Sequence, residues 1–141
     1  MVSRESVRIA LTYAILNDIN VEACDDRNAN SQAPSHERHY VICGPEFGLE
    51  NVGKVALMRR SLHGGKESGA DFWRHLRTCV SHLGFTSCEV DSNAWMRYAK
   101  KDNGAEYWEH VLLCVDDALV ISDQGERIIR NELVKCFFIK Y

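Results

Sequence analysis

The sequence predicts an α+β fold in which helices interrupt a run of antiparallel strands, and three observations point to it. Two stretches carry apolar residues at helical spacing: Val7, Ala10, Leu11, Ala14, Ile15 and Ile19, then Phe72, Trp73, Leu76, Cys79, Val80 and Leu83. Short Val-, Leu- and Ile-rich runs bounded by Gly, Pro and Asn supply strands around them. Residues 111–122 read Val-Leu-Leu-Cys-Val-Asp-Asp-Ala-Leu-Val-Ile-Ser, so Asp116 and Asp117 stand between two apolar flanks, each too short for a typical helix. A strand-turn-strand hairpin with two acids at its tip is expected there.

In chain order, Ser3 is positioned to cap an opening amphipathic helix over 4–19. Residues 21–27 read as a strand ending in the acids Asp25 and Asp26. A turn-rich stretch over 28–37 follows, then strands over 39–43 and 54–60 around the breaks at Gly44-Pro45 and Gly48. A Gly-Gly-Lys-Glu-Ser-Gly loop at 64–69 precedes the second helix, which stops at Gly84. Strands at 95–98 and 107–115 are joined by the polar turn 100–104, and the acidic hairpin comes next. Asp123, with Glu126 three residues on, resembles a capping pair for a last helix carrying Ile129, Leu133 and Phe137. No repeat, low-complexity stretch or linker divides the chain, so 1–141 is expected to be one domain.

Composition narrows the function classes. The 141 residues are 45% hydrophobic and 26% charged, ordinary for a globular protein with a real core. A net charge of −3 argues against a freestanding nucleic-acid binder, because phosphate binding is driven by clustered Lys and Arg. The six cysteines contain no C-x-x-C pair, which reads as reduced thiols and not a disulfide frame or zinc site. A charged N-terminus without a signal peptide, and no apolar run near the roughly 20 residues that span a bilayer, point to an intracellular, cytoplasmic protein with no membrane partner.

Chemistry is concentrated in the acids. An Asp-Asp pair suits a turn, but adjacent carboxylates repel and a turn gains nothing from a second acid, so a cation that neutralises both is the sharper reading. A receiver domain also has paired acids at a strand end, but a loop and helix follow there, whereas here 118–121 resumes a strand; the hairpin fits a nucleotidyl-transferring palm. Phosphoryl transfer with two cations about 4 Å apart needs a further carboxylate, and Asp25 or Asp26 supplies it. Gly64 and Lys66 could bring backbone N–H groups and an ammonium toward phosphates, although the loop lacks P-loop spacing. His36, His39, His75 and His82 read as solvated residues with no zinc pattern.

Taken in order, Val-Glu-Ala-Cys-Asp-Asp-Arg-Asn-Ala (21–29), Tyr-Val-Ile-Cys-Gly-Pro-Glu-Phe-Gly (40–48), Ser-Leu-His-Gly-Gly-Lys (61–66), Phe-Trp-Arg-His-Leu (72–76), Leu-Gly-Phe (83–85) and Cys-Val-Asp-Asp (114–117) resemble the copia-type reverse transcriptase of long-terminal-repeat retrotransposons over nearly the whole chain. The resemblance implies an RNA-directed DNA polymerase domain of a polyprotein, with a palm-like antiparallel sheet and helices packed on one face. By position, Asp25, Asp116 and Asp117 match the catalytic, metal-ligating aspartates. Two Mg²⁺ (or Mn²⁺) ions there would bridge them to a deoxynucleotide triphosphate and the primer terminus of an RNA/DNA template-primer. Gly64 and Lys66 match the loop near the nucleotide, and Asn30 matches the position that meets the incoming sugar.

Five positions depart from the family pattern. Asp26 replaces an apolar residue in a buried strand, and Asn30 replaces the aromatic on which the sugar stacks. Cys114 and His63 each stand for Tyr, and Gly69 for Pro. Fingers strands would precede Met1, and primer grip, thumb and ribonuclease H would follow Tyr141. The expectation is a palm-centred fragment that does not extend a primer by itself. The alternative is a non-catalytic remnant or a repurposed α+β binding module.

Overall fold

A computed structural model of the chain describes residues 1–26, 33–61, 68–114, 117–136 and 139–140, with the backbone alone at 26, 139 and 140. It is a mixed α+β structure that separates into two compact units, one formed by 1–27 and 76–141 and the other by 28–75.

The larger unit begins with helix α1 (Arg4–Leu16), started as expected by Ser3, whose Oγ accepts the Ser6 N–H at 3.0 Å. The helix ends sooner than its apolar spacing suggests. Asp18 takes a left-handed φ of 51°, the Ile19 N–H turns back to the Ala14 carbonyl, and Lys101 Nζ donates to the carbonyls of Asn17 and Asp18. Ile19 therefore packs into the core from beyond the helix.

Strands β1 (Val21–Asp26), β4 (Thr86–Ser87), β5 (Ala94–Lys100), β6 (Glu106–Leu113), β7 (Asp117–Ile121) and β8 (Ile139–Lys140) form one antiparallel sheet in the order β4-β5-β6-β7-β1-β8. The β5–β6 hairpin closes through Gly104 at φ 84°, a left-handed turn position that glycine occupies without strain. Register fixes which side chains share a face: His110 pairs with Ile121, Leu112 with Leu119, and Ile121 with Val21. That face carries α1, with Ala10 and Ala14 in one buried cluster with Ala94, Leu112 and Ile121. Tyr13 packs against this cluster; its ring meets His110 edge-on at 5.0 Å and its hydroxyl accepts the Trp108 N–H.

The opposite face bears Arg97, Glu109, Val111 and Val120. There Arg97 donates to the Leu83 carbonyl and lies over the Phe85 ring at 4.2 Å, just past helix α2 (Ser68–His82). Gly84, at φ 86°, ends α2 where the sequence indicated. Gly125 at the start of the C-terminal helical segment also sits here, against the side chain of Glu22 from β1. Helices thus line both faces of the sheet, not one as expected, because β5, β6 and β7 present buried apolar residues on both sides: Leu112 and Ile121 on one, Val111 and Val120 on the other. Each such fully buried aliphatic side chain contributes about 1.5–3 kcal/mol.

The last helix is also not the regular one expected. Gly125–Arg127 is a single α turn, Ile128–Glu132 is π-helical and Leu133–Lys135 is 3-10. Asp123 makes no cap with Glu126; the Gln124 N–H is instead taken by Ser122 Oγ at 3.0 Å, and Asp123 faces Lys101 at 3.9 Å. Ile128, Ile129 and Leu133 still reach the core. Phe137 lies outside the described residues.

The smaller unit holds the antiparallel hairpin of β2 (Pro34–Ile42) and β3 (Val55–Arg60) and the first turns of α2. Asp71 is its polar centre, accepting from the His36 N–H, Ser61 Oγ and Arg74. Burial alone would raise its pKa, but these hydrogen bonds outweigh burial and hold the carboxyl below its ordinary value.

Candidate functional site

β1 and β7 run side by side with Asp25 directly opposite Asp117. Cross-strand partners in an antiparallel pair stand about 4.5–5.5 Å apart at Cα and project to the same face. The two carboxylates therefore come together at one end of the sheet, and both residues are exposed. Among the described residues neither acid has an ion-pair or side-chain hydrogen-bond partner. Like charges placed in this way oppose folding by a few tenths of a kcal/mol to about 1 kcal/mol, although Asp25 also stands in register with Lys140 of β8 on its other side.

The strand pattern produces this placement directly. Ala23 and Val21 share the face of Asp25, Leu119 and Ile121 share that of Asp117, and burying Ile121 locks the register that brings the acids together. The Cys114 N–H donates to the Asp117 carbonyl at 2.8 Å, which joins the end of β6 to the start of β7. Burial, with the Asp117 charge adding to it, pushes the Cys114 thiol above its usual pKa and keeps it protonated beside the acids. On the other side of β1, Asp25 and Asp26 pair in register with Lys140 and Ile139 of β8.

Of the site residues expected from sequence, Asp25 and Asp117 are thus brought together. Asp116, Asn30, Gly64 and Lys66 lie outside the described residues, as does His63. Gly69 is in the exposed first turn of α2. Among the described residues no three His, Cys, Asp or Glu side chains cluster for a metal. The Asp25–Asp117 pair offers hard carboxylate oxygens to one side of a site, the donor type that Mg²⁺ and Mn²⁺ prefer and that leaves positions for water or phosphate.

Sequence reading missed a second polar constellation, on the opposite face. Glu109 is 2% exposed, yet Arg97 reaches its Oε2 at 2.8 Å and Ser122 Oγ reaches Oε1 at 2.8 Å, while Tyr107 Oη stands 3.3 Å away. Arg97 also grips Glu132 at 2.8 Å. Burial works against the guanidinium, but Glu132 and Glu109 outweigh it and hold the Arg97 pKa above its usual value. A cavity of about 350 Å³ opens over this network, lined by Arg97, Tyr107, Glu109, Gln124 and Glu132. The signal was available: Glu109 falls between Tyr107 and Val111 on the face of the strand that alternation makes apolar, where an acid needs a partner.

A groove of about 430 Å³ lies between α1 and the β5–β6 face, bordered by Ile9, Tyr13, Val90, Met96, Trp108 and His110. Its walls are almost wholly apolar, and burial lowers the His110 pKa. No helix among the described residues is long and apolar enough to cross a membrane. No protein-family model, curated protein or solved structure matches this chain.

Proposed function

We propose that the chain is the palm-centred part of a copia-type reverse transcriptase, an RNA-directed DNA polymerase domain in which Asp25, Asp116 and Asp117 hold the catalytic metals. The observation that carries this reading is the in-register placement of Asp25 opposite Asp117. Acids from sequence regions far apart meet at one sheet end, at a cost in repulsion that a divalent cation would remove.

Bound Mg²⁺ or Mn²⁺ would supply Lewis-acid activation of a primer 3′-hydroxyl and charge neutralisation at the nucleotide phosphates. The chain's own contribution is to fix the carboxylates on a rigid antiparallel pair, with the Leu119 and Ile121 side chains anchored in the core behind them. Template-primer and deoxynucleotide triphosphate are the proposed partners. Asn30, standing where the family has an aromatic residue, favours a second reading: a remnant or binding module that keeps the acidic edge without polymerising.

Mn²⁺ titration followed by electron paramagnetic resonance tests the site. Saturable binding in the millimolar range or tighter is expected, weakened about tenfold or more by Asp25→Asn or Asp117→Asn and unchanged by Asp123→Asn. Binding indifferent to both substitutions would overturn the assignment. Template-directed primer extension, with Asp116→Asn as the control for contaminating polymerase, separates the two readings. No useful extension is expected, since positioning losses multiply and a chain of net charge −3 holds template weakly.

A further inference from the structure

The β2–β3 hairpin sends alternate side chains to two faces, and apolar residues fall on both. Val41, Ala56 and Met58 are half-buried on one face. On the other, Tyr40 stands opposite Leu57 and Ile42 opposite Val55, and all four are exposed, Ile42 at 73% and Val55 at 66%. The connection between the strands adds Phe47 and Leu49, again exposed. An antiparallel pair with one solvated face normally turns polar residues outward, and a two-stranded sheet left bare on an apolar face is marginal by itself.

We propose that this face is an interaction surface for a second copy of the chain, with two hairpins packed face to face about a two-fold axis and their strands antiparallel across the interface. The inference does not depend on the polymerase reading, because none of these residues belongs to the proposed metal site.

Area and charge both argue for a second copy. The six exposed side chains offer on the order of 600 Å² of apolar surface, at the top of what a monomer usually leaves bare. A standard interface takes about 800 Å² from each partner, a little over half of it apolar, so this face and its charged rim suffice. The rim is divided by sign. At the open end of the hairpin Arg38, Arg59 and Arg60 outnumber Glu37, and at the connection Glu46 and Glu50 outnumber Lys54, all of them exposed. Turning one copy end for end lays the acidic connection of each over the basic open end of the other. The contact is then made twice by symmetry, and the face complements itself as an isologous interface requires. A parallel arrangement would set like charges together at both ends.

Sedimentation velocity of the full chain over about 1–200 µM tests the proposal. A reversible monomer–dimer equilibrium in the micromolar range is expected, weakened about tenfold or more by Ile42→Glu and unchanged by Val90→Glu, at an exposed apolar residue of the other unit. Two charge-swapped variants read the orientation and, being altered at exposed positions away from the apolar centre, serve as the test if Ile42→Glu misfolds. One carries Glu46→Lys with Glu50→Lys, the other Arg38→Glu with Arg59→Glu. Each alone should dimerise about tenfold more weakly, while their mixture recovers heterodimers near the unaltered affinity. A chain monomeric throughout that range, leaving the face to a different partner or to none, would overturn the proposal. So would weakening by Val90→Glu in place of Ile42→Glu, or a mixture that associates no better than its parts.

Discussion

Glu109 and Asp117 sit on neighbouring strands of one sheet, yet the molecule treats their charges in opposite ways. Glu109 is buried and fully answered: Arg97, Ser122 and Tyr107 surround its carboxylate, and Arg97 is itself shared with Glu132. Asp117 is exposed and faces another acid, Asp25, with no cationic partner among the described residues. An acid compensated within the fold is accounted for by folding. One set against a like charge is not compensated by its β1–β7 neighbour, and this contrast, more than either acid alone, is what supports the proposed metal site at the β1–β7 end.

The largest expected effect breaks the compensated side. Arg97→Met should destabilise the protein by about 3–5 kcal/mol, because it leaves Glu109 and Glu132 facing each other without their common cation. Urea denaturation checks it. Adding Glu109→Gln to Arg97→Met should recover part of the loss, since the stranded charge is then gone. Equal losses in the single and double variants would show that Arg97 contributes by packing on Phe85 and not through the ion pairs.

Asp91 is an intermediate case and sharpens the comparison. It has no cationic partner among the described residues, but the Ser3 N–H, Ser6 Oγ and the Asn93 N–H donate to it, which ties the α1 cap to the loop before β5. The Ser3 N–H first and then Ser6, against a smaller opposing effect of burial, lower its pKa to about 2. A carboxyl whose folded pKa is depressed stabilises the fold at pH above its unfolded value, near 4, and that contribution is lost as pH falls toward 2. After allowance for solvent screening it amounts to about 1 kcal/mol. Asp91→Asn should flatten the stability profile between about pH 4 and pH 2, measured by thermal melts across that range. An unchanged acid limb would remove Asp91 from the account.

What could be read in the sequence follows the same division between local and distant interactions. The α1 cap at Ser3, the stop at Gly84 and the turn through Gly104 are decided by neighbouring residues, and each was legible. The early end of α1 was not, since it depends on Asp18 entering a left-handed conformation and on Lys101 arriving from a distant hairpin. The Asp123 cap failed because Ser122 and Lys101 already satisfy that corner. Asp25 and Asp117 could be suspected from two acidic strand ends and a family resemblance, but their register depends on Ile121 and Val120 packing between two helical layers. Glu109 was overlooked because its partners, Arg97 and Glu132, come from other elements.

The smallest expected effect is the most direct reading of the uncompensated pair. Without divalent cation, Asp117→Asn should raise stability by about 0.2–1 kcal/mol, because it removes one of two like charges set directly opposite each other on exposed strands. With Mn²⁺ the order should reverse. A ligand that binds only the folded state stabilises it by RT ln(1 + [L]/Kd), about 2.7 kcal/mol when its concentration is a hundred times Kd, and the Asn variant forfeits most of that gain. The unaltered protein should therefore melt below the variant in chelator and above it in saturating Mn²⁺, with Glu126→Gln, on the exposed side of the Arg130 pair, showing no crossing. Crossing melting curves tie the repulsion and the cation to the same two carboxylates. Parallel curves would mean that Asp25 and Asp117 meet at the sheet end without a metal to meet for.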